Sequence, residues 1–221
     1  MAAAKKRRYH APRRQEAAEE TRQAIVQAAR RTFLARGYAA TTMAAIAGAA
    51  GVAVDTLYAT VGGKPALFRL LVEGALSGSS EPVTALERDY VRAIRAEPEP
   101  SRKLALYARA IRTIHGRLSP LFDVLQAAAS QDDQLAALWT EIAERRARNM
   151  RLLAKELKDT GGLRDELTIP EVADVIWATS SPELYRLLVG QRGWKPARFE
   201  RWLADGWCRQ LLAPSPSIFV R

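Results

Sequence analysis

Residues 41–58 read Thr41-Thr42-Met43-Ala44-Ala45-Ile46-Ala47-Gly48-Ala49-Ala50-Gly51-Val52-Ala53-Val54-Asp55-Thr56-Leu57-Tyr58. Two threonines able to cap a helix precede about two turns of small and apolar residues, then Gly51, then a second segment too short to be stable alone. Short helices need a partner. Two of them joined by a glycine-containing turn, the first small-faced so that the second can cross it steeply, meet the demands of a DNA-reading helix-turn-helix.

The flanks supply the partners. Upstream, Ile25, Ala29 and Phe33 recur at helical spacing, widened by Val26 and Leu34, which predicts a helix from about Glu16 to Arg36 ended by Gly37. The second helix turns Met43, Ile46, Ala47 and Ala50 inward, Val52 and Leu57 anchor the third, and Gly62-Gly63 stops it. A fourth begins at Lys64-Pro65, proline being tolerated in a first turn, and carries Leu67, Phe68, Leu71 and Ala75. Gly78-Ser79-Ser80-Glu81-Pro82 reads as a boundary. The organisation expected is a basic tail over 1–15, a reading domain over 16–78 and a second helical domain over 81–213.

Charge agrees with this division. The 221 residues carry a formal net charge of +10. Residues 1–80 hold 12 Lys and Arg against 5 Asp and Glu, whereas 81–221 hold 22 against 19, so the excess lies with the reading helices. The tail clusters Lys5 to Arg8, Arg13 and Arg14 have two readings: an arm that enters a neighbouring minor groove, or a solvated tail that adds general attraction.

Cys208 is the single cysteine, which excludes an intramolecular disulfide and a cysteine-rich zinc site and suits a reducing cytoplasm. The first 22 residues are too charged for a signal peptide. The uncharged run Gly37 to Val54 is long enough to raise the question of a membrane span, but three glycines and two adjacent threonines break it. Histidines number two, His10 and His115, and the HExxH, CxxC, GxGxxG and GxSxG patterns are absent, so neither catalysis nor a metal or cofactor is expected.

Beyond residue 82 the pattern stays helical, without alternating strand segments or internal repeats. Helices are expected at about 83–96, 101–117, 120–129, 132–159, 169–190 and 196–212. Ser180-Ser181-Pro182-Glu183 reads as a fresh helix start or as a kink in one long helix, the kink being favoured.

Residues 21–76 resemble the DNA-binding domain of the tetracycline-repressor (TetR) family. The resemblance is carried by Thr21-Arg22, Ala28-Ala29, Phe33, Arg36-Gly37-Tyr38, Thr41-Thr42, Ile46-Ala47, Ala50-Gly51-Val52, Thr56-Leu57-Tyr58 and Lys64-Pro65-Ala66-Leu67. It implies an all-α homodimer: an N-terminal three-helix helix-turn-helix domain followed by a helical ligand-binding and dimerisation domain. The stretch Trp177 to Leu212 is similar to the tail of one subset of the family. Repression, rather than activation, is expected on family grounds alone, with a palindromic duplex as the target and a small molecule as the releasing signal. A sequence-independent DNA-coating protein is the remaining alternative.

Helix N-termini present free N–H groups and partial positive charge to phosphates. Thr42 resembles the family's phosphate-touching threonine. Tyr58, Thr60 and Lys64 would clamp the other side of the groove, with Arg22 and Thr41 completing the backbone set, while Val54, Asp55 and Thr56 face the bases. Asp55 reads equally well as a first-turn residue favoured by the helix dipole. Ala53 stands where relatives often have a capping serine, and Val61 replaces an aromatic residue. No Lys or Arg lies between 52 and 63, so affinity must come from elsewhere.

In the second domain, Tyr107, His115, Phe122, Trp139 and Trp177 are the candidates for an effector pocket, against the alternative that they are plain core. Their character suggests an apolar, aromatic-sized molecule whose polar end meets His115 or an arginine such as Arg112. Leu184, Leu187, Leu188, Trp202, Leu203 and Leu211 are the candidates for the dimer interface.

Overall fold

The computed structural model describes residues 11–79 and 87–214, with the side chains of 15–79 and 87–214. They form ten α-helices and one π-helix, and no strand occurs among the described residues. The chain divides into two compact units, Met1–Leu71 and Val72–Arg221. This division falls within a helix, after Leu71, and most of the expected boundary at Gly78–Pro82 lies outside the described residues.

The first unit holds α1 (Ala11–Arg36), α2 (Met43–Ala50), α3 (Val54–Val61) and the start of α4 (Lys64–Ser77). α1 starts five residues before the expected Glu16, with Pro12 in its first turn, where a missing N–H costs nothing. Arg13 and Arg14 thus belong to a helix, and the Lys5 to Arg8 cluster lies outside the described residues. Ile25, Ala28, Ala29 and Phe33 of α1 are buried with Met43, Ile46 and Ala47 of α2, Leu57 of α3, and Leu67 and Phe68 of α4. Phe33, Tyr38 and Phe68 form a ring cluster with centroids 5.1 to 5.6 Å apart. Of the expected core face, Leu34 is 39% exposed and faces away from it, and Val26, Ala50 and Val52 are only half-buried.

The second unit runs through the end of α4, α5 (Asp89–Ala96), α6 (Pro100–Ala129), α7 (Asp133–Asp159), α8 (Ile169–Thr179), α9 (Pro182–Tyr185), the π-helix Arg186–Gln191 and α10 (Pro196–Leu211). α6 packs against α7 and α10, and α7 against α8. The core gathers Leu104 and Ile111 of α6, Leu153 and Leu157 of α7, Val172 and Ile176 of α8, and Phe199, Leu203 and Trp207 of α10. Leu163 bridges to Leu212, with Ala213 N donating to Gly162 O, so the end of α10 is fixed to the α7–α8 connection.

Three expectations are corrected. The two helices expected at 101–117 and 120–129 are one helix of 30 residues with Pro120 inside it. A proline ring opposes the carbonyl four residues back, here that of Gly116, yet Leu118, Leu121 and Phe122 are all buried, and their packing carries the helix through. The favoured kink at Pro182 is instead a break. Ser181 is extended, as a residue before proline prefers, and its hydroxyl accepts from Leu184 N at 3.1 Å, starting a new helix. The helix expected from 83 begins at Asp89, with 83–86 outside the described residues.

Candidate functional site

The reading head is built by its caps. Thr42, extended, accepts from Ala45 N at 3.1 Å and starts α2. Gly51 ends it at φ 70°, a left-handed conformation that glycine adopts without strain, and α3 leaves at 101° to α2. Ala53 makes no side-chain cap to α3. No single helix among the described residues is long and apolar enough to cross a membrane, and the uncharged run is spent on this bent pair.

The crossing leaves one face of α3 open. Val54 and Tyr58 are 39% and 49% exposed, and Asp55 and Thr56 are exposed beside them, while Leu57 is fully buried beneath. Thr60 is half-buried and donates from Oγ1 to Thr56 O at 2.7 Å, leaving its lone pairs for an outside donor rather than its proton for a phosphate. Lys64 Nζ lies 4.2 Å from the centre of the Tyr38 ring and donates to Ala39 O at 3.4 Å. That contact draws the start of α4 toward the α1–α2 connection. Arg22, on α1, is half-buried.

Thr41 is different in kind. It is 1% exposed, and its hydroxyl donates to Gly37 O at 2.7 Å, so it ties the α1–α2 corner and cannot reach a phosphate. Adjacent threonines share a spacing but have opposite exposure, which sequence alone does not resolve.

In the second unit a cavity of about 300 Å³ opens between α5, α6 and α7, with Leu76 of α4 and Pro182 of α9 at its edges. Of the five expected residues, Tyr107 and His115 line it. Phe122 and Trp139 do not: they stack on each other with centroids 4.4 Å apart, and Phe122 lies about two helical turns beyond His115. Trp177 lies outside it too, under the Arg146 guanidinium at 4.5 Å. Arg112 is paired to Glu200 at 2.6 Å and is not on the wall.

The wall is mostly apolar, with Ile111, Ile114, Leu118, Ile142, Met150 and Leu153. Tyr107 donates to Met150 Sδ at 3.2 Å, and burial pushes its phenol well above the usual range. His115 Nε2 lies 2.9 Å from Ser180 O. Burial lowers the imidazole to about 4, against the opposing effect of that hydrogen bond and with a further push from Arg146. Arg145 and Arg146, also on the wall, escaped the sequence reading. The legible signal was an arginine at position 146, one turn beyond Ile142 and one before Met150 on the apolar stripe of α7.

Of the expected interface residues, Leu203 and Leu211 are 1% exposed and belong to the intrachain core. Leu187 and Trp202 are exposed, at 45% and 42%. Trp202 meets Trp194 edge to face at 5.9 Å, and Arg198 lies over Trp194 at 4.0 Å.

Residues 25–71 match the family described as bacterial regulatory proteins, tetR family. No curated protein matches the sequence. Among solved structures, NalD, the secondary repressor of the MexAB-OprM multidrug efflux pump in Pseudomonas aeruginosa, is 21% identical over 90% of this chain and all of its own, with a TM-score of 0.67. A transcriptional regulator from Saccharomonospora viridis in complex with choline is 16% identical over 89% of this chain and all of its own, with a TM-score of 0.68. A SmeT–triclosan complex is 17% identical, covering 88% of this chain and 93% of its own, with a TM-score of 0.63. Residues 25–71 thus carry the head of the tetR family of bacterial regulatory proteins, and the chain as a whole shares the fold of these solved structures.

Proposed function

We propose that this chain is a ligand-responsive repressor that binds a palindromic operator as a homodimer and is released by a small molecule. The observation that carries the reading is the open face of α3, with Val54, Asp55, Thr56 and Tyr58 exposed on a helix held at 101° to a capped α2. Val54 suits a thymine methyl and Asp55 a cytosine amino group, while Thr42, Tyr58, Lys64 and Arg22 serve the backbone. Thr60 joins them only as an acceptor toward a bound water or base.

Two heads reading a palindrome must be held one groove turn apart, or a near multiple, which requires a dimer. The exposed Leu187 and Trp202 support an interface on the last elements of the chain. The cavity supports the effector role, since proteins of this fold are described in complex with choline and with triclosan. Release then follows from a ligand that favours dimers whose heads are wrongly separated, and a tenfold loss of operator affinity needs about 1.4 kcal/mol of coupling. Repression is favoured by NalD's description.

Selecting bound sites from random duplex DNA with the full chain tests the reading. A two-fold symmetric motif is expected. Recovery of no enriched motif would leave a DNA-coating protein, which binds random duplex nearly as tightly as any selected site.

A further inference from the structure

The cavity carries an unmatched hydrogen-bond acceptor. Ser180 O can only accept, so His115 Nε2 must carry the proton in the 2.9 Å contact between them. With the ring neutral, Nδ1 is a bare lone pair. His115 is 2% exposed, and no group among the described residues donates to Nδ1. A buried acceptor in that condition costs free energy until a donor reaches it. Because His115 borders the cavity, a molecule in the cavity is placed to bring one.

We propose that the cavity takes an uncharged, largely apolar molecule of about two rings bearing a hydroxyl group, which donates to His115 Nδ1. The proposal rests on reading this cavity as the effector site and specifies what fills it. A volume of about 300 Å³ is at the small end for ligand sites. Charge argues against a cation: Arg145 and Arg146 both line the wall, Arg95 occupies Glu156 at 3.2 Å, and Arg145 occupies Glu73 at 2.8 Å. Charge does not by itself exclude a carboxylate, but the neutral histidine disfavours one, which could pair with Nδ1 only if the buried ring first took up a proton. A carboxylate brings only lone pairs to face Nδ1, and no proton. A hydroxyl donates there, and its oxygen can still accept from a donor such as Arg146 Nε, which is buried and has no partner among the described residues.

Four probes on one frame separate the possibilities: 4-hydroxybiphenyl, 4-methoxybiphenyl, biphenyl-4-carboxylate and the 4-trimethylammonium derivative of biphenyl, each titrated by calorimetry into the full-length chain. The hydroxyl probe is expected to bind roughly tenfold tighter than the methoxy probe, the difference one hydrogen bond supplies. His115→Phe is expected to bind both equally. Nitrogen-15 spectra of the wild-type chain provide a readout independent of any variant's folding, since the chain has two histidines and His10→Gln assigns them. The Nδ1 resonance of His115 should move with the hydroxyl probe and stay in place with the methoxy probe. Equal binding of those two with an unmoved resonance, tightest binding of the carboxylate or the ammonium probe, or binding of none would each overturn the proposal. Should the hydroxyl probe bind as expected while operator affinity is unchanged, the chemistry of the site stands and its role as the effector site fails.

Discussion

His115 on α6 donates to the carbonyl of Ser180, the residue that closes α8, at 2.9 Å. The bond joins the cavity wall to the break before α9. Its imidazole titrates at about 4 in the folded chain, against an ordinary 6.5, chiefly because burial disfavours the charged ring. The unfolded chain therefore takes up this proton first as pH falls, and stability declines between about pH 6.5 and 4. Above that window the ring is neutral in both states and contributes no pH dependence. The full loss is about 3 kcal/mol, reached near pH 4. Urea melts of wild type and His115→Gln from pH 7.5 to 4.5 check this, because glutamine keeps a donor for Ser180 and has no proton to gain. Parallel pH profiles for the two proteins would refute the assignment.

Ala53 leaves α3 without a side-chain cap, whereas Thr42, Glu99, Asp132, Thr168 and Ser181 each cap the helix that follows them. Ala53 already has the extended backbone of an N-cap, at φ −68° and ψ 149°. Ala53→Ser therefore adds the missing acceptor without moving the chain, worth about 1 kcal/mol. Hydrogen exchange of the α3 amides should slow by roughly fivefold. An unchanged exchange rate would mean that the hydroxyl does not reach the amides two or three residues on.

Lys64 is the one cation between α3 and Arg69, and it already leans on the Tyr38 ring. If it also meets a phosphate, Lys64→Ala should weaken binding to all duplexes alike and reduce the slope of log K against log salt by about 1. Val54→Ala should instead relax the preference at one base pair per half-site and leave the slope unchanged. Filter binding of an operator and a scrambled duplex over a range of salt concentrations separates the two. A Lys64→Ala protein that loses sequence preference without a change in slope would place Lys64 on a base rather than on the backbone.

Much of this head was legible because its signals are local. Capping threonine, small-faced helix, glycine turn and anchoring Leu57 lie within 17 residues and act on neighbouring backbone. What was not legible depends on distant packing. Thr41 and Thr42 differ in role because the chain turns one of them under Gly37. Pro120 sits within a helix because three buried neighbours hold the helix together around it. Phe122 and Trp139 pack on each other and not on the cavity, a choice made by the register between α6 and α7. Arg146 is the converse case, an arginine on an apolar stripe whose surroundings only the fold discloses.

Arg145 borders the cavity and donates to Glu73 of α4 at 2.8 Å, while Arg117 of α6 donates to Ala75 O at 3.0 Å. α4 is the helix whose first residue is Lys64. A ligand that displaced Arg145 would act on the same helix that carries a proposed phosphate contact, and we propose the ion pair as the route by which the two proposed sites share free energy. Both partners are about one-third exposed, so the pair itself adds little to stability, no more than about 1 kcal/mol. Glu73→Gln should leave the melting temperature within a few degrees of wild type and preserve both ligand and operator affinity measured separately. The ratio of operator affinities with and without saturating ligand should shrink severalfold toward one. Fluorescence anisotropy of a labelled operator, titrated in both conditions, gives that ratio directly, and a ratio equal to wild type would exclude the Arg145–Glu73 pair from the coupling.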